Sequence, residues 1–160
     1  TYWFLLLCGR LLGGVLGGKI SSKIMLSTMT TIGLVFILLA ILLPVGTMVN
    51  MPVFRSDISF GFALVPINIM FLVLCGLCTS VMWGSIFNLA TSGLGKYTAA
   101  ASGIFMMMVC GGGILPAIQG WIADIAGFIN SYWIVFAGIA YMLFYALIGS
   151  KNVNKNISVE

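Results

Sequence analysis

The feature that most constrains this chain is an uncharged stretch of twenty-seven residues, from 97 to 123. About 20 apolar helical residues cross the hydrocarbon core of a bilayer, so this stretch predicts a membrane-spanning helix. The stretch also contains residues that a simple anchor helix avoids, namely Gly111, Gly112, Gly113 and Pro116. Glycine lets another backbone approach closely, and proline frees a carbonyl that must find a partner inside the protein. The pattern therefore indicates a helix that packs among others and bends.

The composition of the whole chain is that of a membrane protein. Of its 160 residues, 61% are hydrophobic and only 6% are charged, which leaves too little polar surface to cover a globular domain in water. The formal net charge is +4, but the seven Lys and Arg residues are scattered and form no basic stripe. This distribution argues against nucleic acid as a partner and favours the lipid bilayer.

Nothing in the sequence indicates an enzyme, a cofactor or a metal site. The chain has no histidine, and its four cysteines lie inside apolar runs, where a thiol behaves as a small hydrophobic side chain. The pair Cys75 and Cys78 has a C-x-x-C spacing but lacks the second pair or the histidines that a zinc site needs. We therefore predict no catalytic residue.

Five apolar segments predict an all-α fold with five transmembrane helices. They cover about residues 1–18, 24–44, 63–89, 98–122 and 131–149, and polar or turn-forming residues separate them. Residues 1–150 are thus expected to form a transmembrane domain, followed by a polar tail at 151–160. Spans two and five are apolar on all sides, which predicts that they face lipid, whereas the other three are expected to face a bundle interior.

Alternating the five spans across the bilayer separates the basic residues by side. One side receives Lys19, Lys23, Lys96, Lys151 and Lys155, and the other receives Arg55 together with the acids Asp57 and Asp124. The positive-inside rule makes the first side cytoplasmic, so the carboxy-terminal tail is predicted to be cytoplasmic. The chain starts at Thr1, without methionine, and its first span is short. We expect it to be a fragment of a longer protein.

The first span carries a glycine pattern and one charge. Gly9, Gly13 and Gly17 recur every four residues, a spacing that lets a neighbouring helix nest against one face. Arg10 lies among these glycines. Arginine inside a span costs roughly 2.5–3.5 kcal/mol on insertion scales and usually faces an interior, where it pairs with another group. The alternative is that Arg10 reaches the cytoplasmic interface and contacts a lipid phosphate or a loop carbonyl.

Further polar or aromatic residues within the spans are candidates for substrate binding. Trp83 lies mid-span rather than at an interface, and an aromatic ring beside amides suits the apolar face of a sugar. It is equally well explained as a packing residue. Asn68 and Asn88 lie towards opposite ends of the same span and can be interfacial, while Gln119 can serve either a ligand or the carbonyl freed by Pro116.

Several segments of the chain carry specific motifs, namely Ser85-Ile-Phe-Asn-Leu-Ala, Gly93-Leu-Gly-Lys-Tyr-Thr, Ala101-Ser-Gly, Gly111-Gly-Gly-Ile-Leu-Pro-Ala-Ile-Gln-Gly-Trp-Ile-Ala-Asp and Cys8-Gly-Arg-Leu-Leu-Gly-Gly. They show a resemblance to one known transporter family, the fucose:proton symporters and glucose/galactose transporters of the major facilitator superfamily. The resemblance implies that the five spans are helices eight to twelve of a twelve-helix transporter, most of one six-helix half, and that an amino-terminal half is missing.

The resemblance also implies roles for individual residues. The family's tenth helix has an aromatic residue at the position of Trp83, facing a central sugar cavity. Its eleventh helix, matched here by the glycine triplet and Pro116, bends during alternating access. Arg10 matches an arginine on a helix between the two halves. The family's proton-coupling carboxylates belong to the missing half. No residue of this chain is therefore assigned to the coupling of transport to protons.

The resemblance implies secondary transport of a monosaccharide, driven by protons, across the cell inner membrane. A rival within transport is an exporter of another small solute from the same superfamily. An acid inside the helices would favour cationic drugs, and none is present. A rival from another class is a membrane subunit that transports nothing.

Overall fold

The computed structural model describes residues 1–44, 46–54, 60–109 and 111–150. Within these ranges, six α-helices and one β-hairpin follow each other. They are α1 (Tyr2–Gly17), α2 (Ser22–Leu42), β1 (Met48–Phe54), β2 (Phe60–Pro66), α3 (Ile67–Thr91), α4 (Thr98–Met108), α5 (Gly111–Ala126) and α6 (Phe128–Phe144). A 3₁₀ turn at Gly95–Tyr97 precedes α4, and a π-helical turn at Tyr145–Gly149 continues α6.

The chain is an all-α, multi-pass membrane protein apart from its hairpin. In the described ranges, four helical segments are long and apolar enough to cross a bilayer: Ser22–Leu42, Ile67–Thr91, Gly95–Ala126 apart from Cys110, and Phe128–Gly149. The helix Tyr2–Gly17 is equally apolar but shorter. These boundaries lie within a few residues of the five predicted spans. The predicted polar tail at 151–160, like Arg55 and Asp57, lies outside the described residues.

Helix α3 is the centre of the assembly. It packs against both α1 and α2, while α6 packs against both α2 and α5. The core forms where α2, α3 and α6 meet, and its buried side chains are Leu26, Ile37, Cys75, Cys78, Met82, Ile139 and Ala146. At one end of the bundle, the Lys23 ammonium of α2 donates to the Leu147 carbonyl at 3.3 Å and ties α2 to the end of α6.

Helix α2 is less peripheral than its sequence predicts. One of its faces is buried against α3 and α6, while Ile24, Val35 and Leu42 on the rest of its surface remain exposed. By contrast, none of the described residues of α4 or α5 is buried. A helix that is apolar on all sides shows no preference in its sequence for the face it buries, so hydropathy alone does not distinguish a lipid-facing helix from a packed one.

The hairpin between α2 and α3 was not predicted from the sequence, which indicated a loop at 45–62 and a span from 63. Strands β1 and β2 pair antiparallel, with Asn50 opposite Leu64 and Pro52 opposite Phe62. Helix α3 begins at Ile67, directly after Pro66 ends β2. Proline and extended backbone at 66 interrupt the apolar run, so the residues from Ala63 to Pro66 belong to a strand and not to the helix.

The predicted bending helix is interrupted close to its glycine triplet. Helix α4 ends at Met108 and α5 begins at Gly111. The Val109 N–H donates to the Met106 carbonyl at 3.2 Å, and the Gly112 N–H donates to the Val109 carbonyl at 2.8 Å. Both bonds join residues three apart, so the regular pattern of bonds four residues apart is lost here.

Candidate functional site

A cavity of about 370 Å³ lies between α1 and α3. It brings together three of the five residues that the sequence indicated for substrate binding: Arg10, Trp83 and Asn88. The other lining residues are Gly13, Gly14, Gly17, Met25, Ser80, Val81 and Gly84. This volume falls within the range of roughly 300–1,000 Å³ that is usual for small-molecule sites. We refer to this cavity as the α1–α3 cavity.

A close contact between α1 and α3 fixes the walls of the α1–α3 cavity. A Cβ atom added at Gly9 would lie 2.8 Å from the Leu77 carbonyl oxygen and 2.9 Å from the Ser80 Cβ, so only glycine fits there without movement. The Ser80 hydroxyl donates to the Leu6 carbonyl at 2.6 Å and bridges the two helices. At Gly13, an added Cβ would make ordinary contact with Val81 at 3.7 Å. The packing predicted for Gly9 is therefore tight, and that for Gly13 is looser.

Trp83 stands on the cavity wall with its ring partly accessible, at 42% exposure. It packs edge-to-face with Phe105 of α4, with ring centroids 5.6 Å apart and planes at 62°, and the ring of Phe87 lies 5.5 Å from that of Phe105. Edge-to-face packing of this kind holds an aromatic ring in one orientation. The indole thus combines a packing role towards α4 with an accessible surface on the cavity side.

Arg10 and Asn88 supply the polar groups of the α1–α3 cavity, and both side chains are exposed. A guanidinium presents five N–H donors, while a primary amide both donates and accepts. Among the described residues that line the cavity, none is acidic. A ring surface beside several donors and an amide suits a neutral, hydroxyl-rich ligand, whose oxygens accept hydrogen bonds and whose C–H face stacks on the indole.

Asn68 lies elsewhere and has a structural use. Its side chain is 1% exposed, and its Nδ2 donates to the Ala40 carbonyl at 2.5 Å and the Leu43 carbonyl at 2.8 Å. Ala40 lies in the last turn of α2 and Leu43 follows its end, where the helix itself provides no partner for the carbonyls. Asn68 therefore caps α2 from the start of α3, while its Oδ1 has no partner in the described part of the chain. Substrate binding by this residue stays an untested prediction.

Gln119 also lies apart from the α1–α3 cavity. It belongs to α5, which packs on α6, and its side chain is half-buried. The hinge candidates precede it on the same helix. A Cβ added at Gly111, Gly112 or Gly113 would meet nothing within 4 Å, so the neighbours that the sequence predicted for this triplet are not present in the described residues. Pro116 lies inside α5.

A second cavity, of about 390 Å³, lies between α3 and α6 and is mainly apolar. Its lining includes Tyr2, Cys75, Thr79, Phe128 and Tyr132. The Thr79 hydroxyl already donates to the Gly76 carbonyl at 3.0 Å, which leaves few polar groups for a ligand. Across the described residues, no group of three His, Cys, Asp or Glu side chains comes together as a metal site would require. The α1–α3 cavity is therefore the better candidate for a small polar ligand.

Ser80 is a polar residue of the site that was not among the binding candidates predicted from the sequence. It lines the α1–α3 cavity, and its hydroxyl donates to the Leu6 carbonyl on α1. A signal was present in the sequence, because Ser80 lies three residues before Trp83, about one turn away on the same helix face. Serine is common in membrane helices as a small packing residue, so its spacing from Trp83 alone did not assign it to a site.

The chain is similar in sequence to known sugar transporters. It is 44% identical over 77 residues to the glucose/galactose transporter of Brucella abortus, a match that covers 48% of this chain and 19% of the relative. It is 34% identical over 61 residues to the L-fucose-proton symporter of Escherichia coli, over 38% of this chain and 14% of that protein. The resemblance to this group of transporters is thus confirmed over part of the chain.

The matched segments span less than a quarter of the lengths of these curated relatives. No family model matches the chain. No solved structure matches it significantly. Both relatives are named as transporters and not as enzymes, which fits the membrane-spanning fold.

Proposed function

We propose that this chain forms most of the carboxy-terminal half of a monosaccharide transporter of the major facilitator superfamily. The observation that carries the proposal is the α1–α3 cavity, where Trp83, Arg10 and Asn88 meet in a chain homologous to glucose/galactose and fucose transporters. In the complete protein, the sugar would bind between this half and an amino-terminal half near the middle of the membrane. Transport would then proceed by alternating access, with protons as the coupling ion.

Each lining group has a defined part in this proposal. The accessible ring surface of Trp83 stacks on the apolar face of the sugar, while Arg10 and Asn88 hydrogen-bond its hydroxyls. The sugar is uncharged, so Arg10 acts as a hydrogen-bond donor and not as a counter-charge. Proton coupling needs a group that titrates near neutral pH, and the part of the cavity lining that the structure describes includes none. We therefore assign coupling to carboxylates of the amino-terminal half.

Uptake of radiolabelled monosaccharides tests this function directly. Cells that express the complete transporter should accumulate glucose, galactose or fucose, and a protonophore should abolish the accumulation. Cells that carry the empty vector are the control. An absence of uptake for every monosaccharide, with the protein present in the membrane, would contradict the proposal. Uptake that is insensitive to the protonophore would leave sugar transport standing but remove proton coupling.

The ring of Trp83 is expected to contribute strongly to sugar affinity. Stacking is worth roughly 0.5–1.5 kcal/mol beyond the area that it buries, so Trp83→Ala should weaken sugar binding at least several-fold, while Trp83→Tyr should retain much of it. Isothermal titration of the complete purified protein measures this difference. Trp3→Ala is the matched control, because Trp3 is 81% exposed on α1 and does not line the α1–α3 cavity. Equal affinity in Trp83→Ala and Trp3→Ala would leave Trp83 with a packing role alone.

We further propose an inner-membrane location with the carboxy terminus in the cytoplasm, from the distribution of lysines. The turn after α1 would then be cytoplasmic, and the loop after α2 would lie outside. A membrane-impermeant thiol reagent applied to intact cells should label Gly46→Cys and leave Ile20→Cys unlabelled, in a version that lacks Cys8 and Cys110. Both positions are exposed, so accessibility differs only by side. The reverse labelling pattern would invert the topology.

A further inference from the structure

The β-hairpin exposes an apolar face. Residues paired across an antiparallel ladder share a face, so Met48, Phe62 and Leu64 lie on the same side as Phe60. These four side chains are 59%, 74%, 69% and 73% exposed, respectively. We call these four side chains the outer face of the hairpin. The polar residue Asn50, which pairs with Leu64, is exposed on the same side. The opposite face carries Met51, which is 6% exposed and packs inwards.

Contacts at both ends of the hairpin fix its position relative to the helices. Phe54 and Phe60, at its turn end, contact Phe4 of α1, with Phe4 stacked on Phe54 at a centroid distance of 5.0 Å and a plane angle of 9°. The Phe54 N–H also donates to the Thr1 hydroxyl at 3.0 Å. At its other end, the Ile67 N–H donates to the Thr47 carbonyl at 2.9 Å. The orientation of the outer face is therefore fixed relative to the helices.

We propose that the outer face of the hairpin rests on the bilayer, at the boundary between lipid headgroups and acyl chains. The face is continuous with a membrane-spanning surface, because α3 begins at Ile67 immediately after β2 and exposes Ile69 within its first turn. The two strands, Met48–Phe54 and Phe60–Pro66, contain no charged residue. Four large apolar side chains turned to water would instead form an aggregation-prone surface.

The unpaired backbone groups of the hairpin determine how deeply it lies in the membrane. A sheet of two strands has two open edges, whose N–H and carbonyl groups need water or lipid headgroups as partners. The hydrocarbon core offers none, so the strands lie at headgroup level while their apolar side chains reach towards the acyl chains. Amphipathic helices at the interface adopt the same arrangement with their apolar face.

Spin labelling at Phe62 and Leu64 tests this position. The complete protein is placed in lipid vesicles after Cys8 and Cys110 have been replaced, and Cys75 and Cys78 are kept because they are 7% and 2% exposed. Nitroxide labels at Phe62→Cys and at Leu64→Cys should collide several-fold more often with oxygen, which partitions into lipid, than with a water-soluble nickel chelate. The reference is Lys19→Cys, whose exposed label should favour the nickel chelate.

Two results would overturn the proposal. A preference for the nickel chelate equal to that at Lys19→Cys would place the outer face in water. An immobile label that neither oxygen nor the chelate reaches would mean that protein covers the face, either from the other half of the transporter or from a partner. The parent protein without an introduced cysteine must show no label. This control checks that Cys75 and Cys78 do not react with the spin-label reagent.

Discussion

Gly9→Leu is expected to destabilise the complete protein, whereas Gly14→Leu on the same helix is not. At Gly9 an added Cβ would lie 2.8 Å from the Leu77 carbonyl oxygen, while at Gly14 it would meet nothing within 4 Å. The atom in the way at Gly9 is backbone, which moves only if α1 moves away from α3. Overpacking of this kind typically costs 1–3 kcal/mol and occasionally more.

The comparison of the two variants isolates the steric effect. Both replace glycine by leucine in α1, so their gains in helix propensity cancel. Thermal unfolding of the purified complete transporter in detergent measures the difference, with a clearly lower midpoint expected for Gly9→Leu alone. Gly14→Leu projects into the α1–α3 cavity, so stability and not transport is the readout. Equal midpoints for the two variants would show that α1 and α3 do not approach as closely at Gly9 as described.

The helices could be predicted from the sequence because a membrane span is a local property. Each consists of enough consecutive apolar residues to cross the bilayer, whatever its neighbours are. The Gly9 contact could also be foreseen, since the spacing of Gly9 and Gly13 indicates a face for another helix. Which helix packs against that face could not be foreseen from the sequence. The pairing of α1 with α3 depends on shape in three dimensions, and the hydroxyl of Ser80 became meaningful only beside the Leu6 carbonyl.

The hairpin was missed for a physical reason. Residues 63–66 are apolar and run without a polar break into α3, so hydropathy merges them with the span. The informative signal was alternation with period two in Phe-Gly-Phe-Ala-Leu-Val, where Phe60, Phe62 and Leu64 recur on one face. In the partner strand β1, Pro52 argued against a strand, because proline within an apolar run makes a strand assignment less favourable. In a sheet of two strands both are edges, which tolerate a residue without an N–H.

The same limit of prediction from sequence applies to a polar residue, Asn68, and to an apolar helix, α2. An asparagine inside a span is equally compatible with a ligand and with a helix cap, and its two partners at Ala40 and Leu43 lie more than twenty residues away in sequence. For α2, uniform hydropathy left the buried face undefined. Patterns within one segment therefore predicted that the helices exist, while contacts between segments decided which side chains form the core and the cavity.

Gly112→Val is expected to slow transport strongly while leaving equilibrium sugar binding nearly unchanged. Pro116 lacks an N–H, so the Gly112 carbonyl loses its usual partner within α5. The bonds of Val109 and Gly112 already join residues three apart rather than four. Three glycines in succession impose little resistance to a change in backbone angles, and the helix is weakest at this place. We propose that α5 bends here when the two halves exchange access states.

Because the space around the glycine triplet is open, the Gly112→Val variant tests backbone stiffness more specifically. Since a Cβ at Gly112 would meet no neighbouring element within 4 Å among the described residues, we expect the effect of valine to arise from stiffening of the backbone. Gly103→Val in α4 is the matched control, because Gly103 is equally open but lies away from the interruption, and it should transport nearly as well as the native protein. Counterflow rates and equilibrium binding of the same sugar provide the two readouts. Equal losses of binding and transport in Gly112→Val, or equal slowing by Gly103→Val, would show that the triplet is a spacer and that the bending occurs elsewhere.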